Sequence, residues 1–278
     1  MKHVKLRHTG ATLAAMAVLG SAAAVMPAGA AAEALPEMGR CVKVITGTGT
    51  YEGAKCITLA AGNQGKYNFE TLTTEKAAAE KPTFALSGGV ATLKTKELQT
   101  ITCTSTTMTG EYTGPKSSTE KAVFNGCTEE AGGGVSGQSC QSGATSEQIE
   151  MPLAEGEIGF IKNQAGKVSV GLDLRPHSPS TALITAVCAP RTTKTETVVV
   201  EGSVIAQIKP IDAMTSSVSL TYKALKSGHQ VPEQFEGAPT DTLTTTFTGL
   251  SGGFSGPSTF AIAGLSGTNS TPLEIKAK

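Results

Sequence analysis

Four glutamates, Glu147, Glu150, Glu155 and Glu157, form the densest group of carboxylates in the sequence. Two carboxyl groups that flank one glycosidic bond can hydrolyse a glycan, one as an acid and one as a base or nucleophile. Glu155 and Glu157 are two residues apart, so they lie on one face if this segment is a strand. A solvated strand surface gives the same spacing, and we favour that interpretation.

Two short motifs resemble those of serine nucleophiles. Gly249–Gly253 matches G-x-S-x-G, but no Asp or His follows Ser251 and no helical pattern follows the motif. Ser118–Lys121 matches S-x-x-K, but the companion S-D-N and K-T-G motifs are missing from the sequence. We interpret the first match as a flexible turn and the second as part of a polar loop, so we predict no catalytic residue.

Metal ligands are scarce beyond the first thirty residues. Only His177 and His229 remain there, both in segments that contain Pro or Gly, and the chain has three Asp and no C-x-x-C pair. Zinc sites use closely spaced Cys and His, and calcium loops use closely spaced Asp and Asn. We therefore predict no metal site and no cofactor, and we expect both histidines to lie at the surface.

An even number of cysteines, six, lies beyond the first thirty residues and predicts three disulfides. Six cysteines allow 15 pairings. Hairpin geometry favours Cys41–Cys56, which would close a loop worth about 3 kcal/mol. Cys127–Cys140 would similarly join the ends of a Gly-rich segment and leave Cys103–Cys188, with Cys103–Cys127 as the main competing pair.

Residues 1–30 have the pattern of a cleaved signal peptide. Lys2, Lys5 and Arg7 precede an Ala-rich apolar stretch, and Ala28–Ala30 is a small-x-small cleavage pattern. Cleavage after Ala30 would lower the basic count from 23 to 20 against 23 acidic residues, a net charge of −3. We therefore expect a secreted or cell-envelope protein without a transmembrane segment after signal removal.

The elements that must position these residues are mostly strands. The chain has 278 residues, of which 39 are Thr, a residue that favours strands. Apolar and polar residues alternate in Lys167–Arg175 and in Val218–Ala224. The sequence predicts an all-β fold, a multi-stranded antiparallel sandwich or barrel-like body with an N-terminal disulfide-closed hairpin. The best helix candidate is Thr74–Glu80, which Pro82 would end.

That helix also suggests a domain boundary. Residues 31–81 would form a small disulfide-closed hairpin module and residues 82–278 the main β domain, although one merged domain is nearly as well supported. The net charge of zero over the whole chain gives no basic footprint for nucleic acid. The chain also has no Trp, the residue that most often stacks on sugars. The expected partner is an unidentified extracellular ligand or an envelope component.

Several segments resemble those of a family of exported, disulfide-containing actinobacterial proteins of unknown function. They are Gly39–Val44 with Tyr51 and Cys56, Thr109–Lys116, Phe124–Cys127, Pro152–Ile161, Val200–Ala206 and Pro272–Ile275. The resemblance extends over nearly all of the chain beyond residue 30. It implies export and a shared β-rich fold, and it assigns no catalytic residue.

Two functional hypotheses follow. The leading one is a secreted or cell-surface, non-catalytic β protein with a structural, adhesive or ligand-binding role. The alternative is a secreted, glycan-directed hydrolase that uses dispersed carboxylates, in Glu147–Glu157 or at Asp173. Two carboxyl groups about 5–10 Å apart in a cleft would favour the enzyme.

Overall fold

The computed structural model describes residues 35–96, 99–131, 135–164, 166–179, 181–189, 195–239, 241–249 and 253–278. The predicted signal peptide and the predicted turn at Ser251 lie outside these residues. Residues Ala34–Lys278 form one compact unit. The described chain is nearly all β, as the alternating patterns predict.

The strands have the following bounds: β1 Glu37–Lys43, β2 Tyr67–Thr71, β3 Thr83–Gly88, β4 Ala91–Thr95, β5 Thr100–Cys103, β6 Ser105–Tyr112, β7 Ser117–Asn125, β8 Thr128–Ala131, β9 Val135–Gln141, β10 Gln148–Gln164, β11 Lys167–Pro176, β12 Ile184–Ala189, β13 Glu196–Glu201, β14 Val204–Lys209, β15 Thr215–Thr221, β16 Lys223–Ala224, β17 Gln230–Val231, β18 Gln234–Phe235, β19 Ala238–Pro239, β20 Thr244–Thr248, β21 Phe254–Ile262 and β22 Leu265–Lys276.

Sixteen of these strands form two closed antiparallel barrels of eight strands each. The first barrel has the order β15-β14-β11-β10-β7-β6-β3-β22 and closes through pairing of β15 with β22. The second barrel has the order β12-β13-β20-β21-β4-β5-β8-β9 and closes through pairing of β9 with β12. The fold is therefore the barrel form of the predicted architecture.

The chain alternates between the two barrels. Strand β3 of the first barrel runs into β4 of the second, β5 of the second into β6 of the first, and β7 of the first into β8 of the second. This alternation continues around both rings. The exception is the passage from β15 to β20, which is interrupted by the small hairpins β16–β17 and β18–β19. The barrels thus arise from an up-and-down meander of long strands, each broken once near the middle.

Gly126 shows what such a break requires. It joins β7 to β8 with φ at 62°, in the left-handed region that favours glycine. A Cβ atom at this position would lie 2.4 Å from the Thr104 hydroxyl oxygen. A side chain at this position would therefore strain the turn from one barrel into the next.

Inward-facing apolar side chains of both barrels form one continuous core. Phe124 of the first barrel packs edge-on against Phe260 of the second, with ring centroids 5.9 Å apart. Tyr222 packs against the same Phe260 ring at 5.4 Å. The junction between the barrels is therefore filled by aromatic side chains.

The N-terminal hairpin adds to the edge of the first barrel. Strands β1 and β2 pair with each other, and β1 also pairs with the end of β22. The disulfide Cys41–Cys56 closes this hairpin, which confirms that predicted pair. Lys276 of β22 is buried against it, donates to the Cys56 carbonyl and lies 4.9 Å from the Tyr51 ring centroid.

The predicted helix is also confirmed, as α1 over Thr74–Glu80. The Thr73 hydroxyl accepts a hydrogen bond from the Lys76 backbone amide, which is a typical N-cap. The helix ends at Lys81, in the left-handed conformation, directly before Pro82. No helix within the described ranges is long and apolar enough to cross a membrane.

The other two predicted disulfides are wrong. The structure pairs Cys103 with Cys127 and Cys140 with Cys188, with Cα atoms 3.9 and 4.0 Å apart. Cys188 lies directly opposite Cys140 in the β9–β12 pair, and Cys127 immediately precedes β8, which pairs with β5. Cys127 and Cys140 do lie beside each other at the β8–β9 pair. The strand order of the barrel also places Cys103 beside Cys127 and Cys188 beside Cys140. Closeness in sequence did not indicate these second neighbours.

Candidate functional site

The acidic residues predicted as a possible hydrolytic site form an ion-pair network on the outside of the first barrel. Glu155 and Glu157 of β10 lie opposite Arg175 and Asp173 of β11. The Arg175 guanidinium is 2.9 Å from a Glu157 carboxylate oxygen and 3.8 Å from one of Glu155. His177 Nδ1 is 3.1 Å from the other Glu155 oxygen. The positively charged Arg175 side chain therefore lies between the two glutamates.

The remaining predicted residues do not join this network. Glu147 lies in the turn before β10 and Glu150 is exposed further along the strand. His229 is exposed as expected, with Nδ1 3.2 Å from a Glu233 oxygen. Both histidines thus have glutamate neighbours, which sequence spacing did not indicate for His177.

Asp173 lies beneath the network and is buried. Burial raises its pKa to about 6, although the nearby Arg175 charge opposes this shift. Asp241 lies close enough for the two charges to interact, and burial raises its pKa to about 7. A carboxyl group with a raised pKa beside an ionised one is typical of acid–base sites, but Asp173 has little contact with solvent.

The S-x-x-K match lies in a strand, so the predicted polar loop is wrong. Ser118 and Glu120 point into the first barrel, whereas Lys121 is exposed on the outside. The Ser118 hydroxyl donates to Glu120 Oε1 at 2.5 Å. Burial raises the pKa of Glu120 to about 7, and the Ser118 hydrogen bond opposes the shift. Ser118 and Lys121 cannot act together because the barrel wall separates their side chains.

A groove with a cavity of about 250 Å³ lies outside the second barrel, between strands β4 and β21 and the β16–β17 hairpin. Lys94, Lys96 and Lys226 line it, and none of its lining residues is acidic. Two apolar cavities inside the barrels measure only about 30 Å³ each. A ligand of sugar size therefore fits the outer groove and not these two cavities.

One buried side chain holds the groove in shape. Gln230 of β17 donates to the Phe260 carbonyl at 2.9 Å and accepts from the Phe260 amide at 2.8 Å. This double hydrogen bond fixes the β16–β17 hairpin against β21, and Lys226 of the loop within that hairpin lines the groove. Sequence reasoning missed the groove because its lysines come from distant parts of the chain.

The second barrel also encloses a group of oxygen-bearing side chains. Gln99, Glu129, Gln138 and Glu196 are all at least nine-tenths buried and share the inward face of their strands with the core residues. Glu129 lies directly opposite Gln138, and its carboxyl group is hydrogen-bonded to that of Glu196. We call these four residues the oxygen cluster. Burial and the Glu196 charge raise the pKa of Glu129 to about 7.

A sequence signal for the oxygen cluster exists. Glu129 is two residues from Cys127, and Gln138 is two residues from Cys140. Residues two apart on a strand share a face, and the disulfide cysteines face inward. Parity with the cysteines therefore marks both side chains as interior, which the sequence analysis did not use.

Comparison with protein-family models, with curated proteins and with solved structures found no match to this chain. The fold and the described sites thus define a class of protein, a disulfide-bonded antiparallel β-barrel protein.

Proposed function

We propose that this is a secreted or cell-surface, non-catalytic β protein that binds an acidic extracellular ligand in the groove outside the second barrel. The observation that carries the proposal is the set of three lysines around a cavity of about 250 Å³. The ligand class is a glycan or other chain that bears carboxylate or phosphate groups. Export of the protein, which the resemblance to exported actinobacterial proteins implies, is part of the same proposal.

Charge supports this ligand class. Among the described residues, no salt bridge involves Lys94, Lys96 or Lys226, so their ammonium groups are available to an anion. An ammonium group is a compact point charge that binds phosphate and carboxylate oxygens. A local excess of three positive charges is distinctive in a chain whose total formal charge is zero.

Export is supported by the cysteines. All six form disulfides, and disulfides persist in oxidising compartments outside the cytoplasm. The signal-like residues 1–30 point to the same location. An extracellular ligand or a component of the cell envelope is therefore the partner to test.

Binding to polygalacturonate, a carboxylated glycan, tests the proposal, with neutral dextran as the reference. A triple variant with Lys94→Gln, Lys96→Gln and Lys226→Gln should bind polygalacturonate at least about tenfold more weakly, because the groove loses its charge. Salt should weaken the wild-type complex.

The matched control changes three exposed lysines elsewhere, Lys43, Lys66 and Lys121, to Gln, so that the net charge falls equally. It should bind as the wild type does. Equal weakening in both triple variants would show non-specific charge attraction and would count against the groove. Absence of any binding by the wild type would also count against it.

The hydrolase alternative is favoured by one observation, the raised pKa of Asp173 beside the half-buried Glu157. The Arg175 contacts of Glu155 and Glu157 weigh against it. Polysaccharide and peptide substrates test it directly. Turnover that is lost in Glu155→Gln or Asp173→Asn would replace the binding proposal with this alternative.

A further inference from the structure

We propose that four cysteines of the second barrel form a site of thiol–disulfide exchange, through which this barrel takes up a second disulfide arrangement when a dithiol reductant is present. The four are Cys103, Cys127, Cys140 and Cys188, and we call them the cysteine row. In the oxidised protein they form the two disulfides described above. The proposal is independent of the groove, because none of the four lines it.

Strand register places the four cysteines side by side. The strands β5, β8, β9 and β12 are neighbours in this order. At one end of the row a disulfide joins Cys103 to Cys127, and at the other end Cys188 lies directly opposite Cys140. Between the two disulfides, the Cys140 amide donates a hydrogen bond of 2.9 Å to the Cys127 carbonyl. The row is therefore continuous from β5 to β12.

The side chains of the row lie on the inner side of the barrel wall. Cys103 is 4% exposed and the other three are fully buried. Residues that face each other on antiparallel strands share a face of the sheet, with Cβ atoms about 5 Å apart. A disulfide needs Cβ atoms about 4 Å apart. Cys127 and Cys140 can therefore bond after a small shift of the two strands.

One reduction starts the exchange. A dithiol gives two electrons to the Cys140–Cys188 disulfide and becomes a disulfide itself, so that Cys140 and Cys188 become thiols. The Cys140 thiol loses its proton, and the thiolate attacks the Cys127 sulfur. The bond from Cys127 to Cys103 breaks, and the Cys103 sulfur takes the electron pair and a proton. The product has a Cys127–Cys140 disulfide and thiols at Cys103 and Cys188.

The order of the sulfurs along the row suits this displacement. A thiolate attacks a disulfide from the side opposite the leaving sulfur, so the three sulfurs lie nearly in line during the reaction. Positions that face each other on successive antiparallel strands follow a line across the sheet. Cys140, Cys127 and Cys103 follow such a line, so attack by Cys140 displaces Cys103. The mirror reaction, in which Cys127 attacks Cys140 and displaces Cys188, gives the same product.

The exchange changes which strands are joined covalently. In the oxidised protein, one disulfide ties the β8–β9 pair to β5 and the other ties it to β12. In the exchanged protein, the remaining disulfide lies within the β8–β9 pair, so neither neighbour is tied to it. A single two-electron reduction therefore removes two covalent links, and the second barrel is redox-sensitive at this site.

Partial reduction of the full, folded protein with dithiothreitol tests the proposal. Free thiols are blocked with N-ethylmaleimide, and the disulfides are mapped by mass spectrometry after digestion at acid pH. Among molecules that keep one disulfide of the row, about one third should carry Cys127–Cys140, because the three neighbouring pairs exchange with one another. A disulfide between Cys103 and Cys188, the two ends of the row, should be absent.

The hairpin disulfide Cys41–Cys56 is the control in the same molecule, because no third cysteine lies in its hairpin. Its cysteines should become thiols on reduction and form no disulfide with the row. The variant Cys188→Ser, which leaves Cys140 as a thiol, should form some Cys127–Cys140 without any reductant. The matched variant Cys56→Ser should keep both disulfides of the row.

Three results would each overturn the proposal. The first is absence of Cys127–Cys140 from either the singly reduced protein or Cys188→Ser. The second is a Cys103–Cys188 share as large as that of Cys127–Cys140, because it would indicate exchange in unfolded chains. The third is survival of both row disulfides at a dithiothreitol concentration that fully reduces Cys41–Cys56.

Discussion

The two barrels each enclose a glutamate whose pKa burial raises to about 7, yet the surroundings of the two carboxyl groups differ. Glu120 of the first barrel accepts a hydrogen bond from Ser118. Glu129 of the second barrel is hydrogen-bonded to the Glu196 carboxyl group and lies opposite Gln138. The second oxygen of Glu120, Oε2, is buried without a hydrogen-bond partner among the described residues, so one hydroxyl group satisfies only part of that carboxyl group. The Glu129 carboxyl group instead has a second carboxyl group as its partner.

The number of disulfides also differs between the two barrels. The second barrel contains two disulfides that join neighbouring strands, and the described strands of the first barrel contain none of the cysteines. A polar interior contributes less hydrophobic stabilisation than an apolar one. We infer that the disulfides offset part of the cost of the buried polar side chains in this barrel.

The largest effect should follow removal of a second-barrel disulfide. The double variant Cys140→Ala, Cys188→Ala should lose about 4 kcal/mol in urea unfolding, because this bond closes a 48-residue separation. Cys41→Ala with Cys56→Ala, which opens a 15-residue separation in the hairpin, should lose about 3 kcal/mol. A smaller loss in the first variant than in the second would contradict the dependence of the second barrel on its disulfides.

An intermediate effect concerns pH. The folded-state pKa values of Glu120 and Glu129 are raised from 4.5 to about 7, so the folded protein binds more protons than the unfolded one between these values. Stability should therefore fall as pH rises from about 5 to 7, as urea unfolding at several pH values would show. Glu120→Gln and Glu129→Gln should each reduce this fall. A fall that is reduced in Glu120→Gln but unchanged in Glu129→Gln would mean that only the buried acid of the first barrel contributes to it.

The smallest effect should come from the surface network. Arg175→Ala breaks two exposed ion pairs and should change the free energy of unfolding by less than about 1 kcal/mol. Polygalacturonate binding should be unchanged. A large loss of that binding would mean that this outer surface of the first barrel takes part in function.

Local patterns predicted the local structure well. Period-two alternation identified β11 and β15, and the Ala-rich segment before Pro82 identified α1. These features depend on neighbours in sequence, since strand alternation and helix termination act over a few residues. Cys41–Cys56 was predictable for the same reason, because a short hairpin connects its ends.

Long-range features were not predictable in this way. The pairing of Cys140 with Cys188 depends on closure of the second barrel, which brings β9 beside β12. The groove depends on the pairing of β4 with β21, which are far apart in sequence. The contact of Glu129 with Glu196 likewise forms only after the strands of the second barrel are ordered. The expectation of no metal site came from the scarcity of Asp, His and closely spaced Cys, and it stays a prediction.

A crystal structure of the full protein with a galacturonate oligomer tests the groove most directly. We expect the oligomer to lie in the groove outside the second barrel, with its carboxylates against Lys94, Lys96 and Lys226. In crystals of the triple variant with Lys94→Gln, Lys96→Gln and Lys226→Gln grown in the same solution, the bound oligomer should be lost. Well-ordered wild-type crystals in which the oligomer binds elsewhere and the groove is empty would contradict the proposed site.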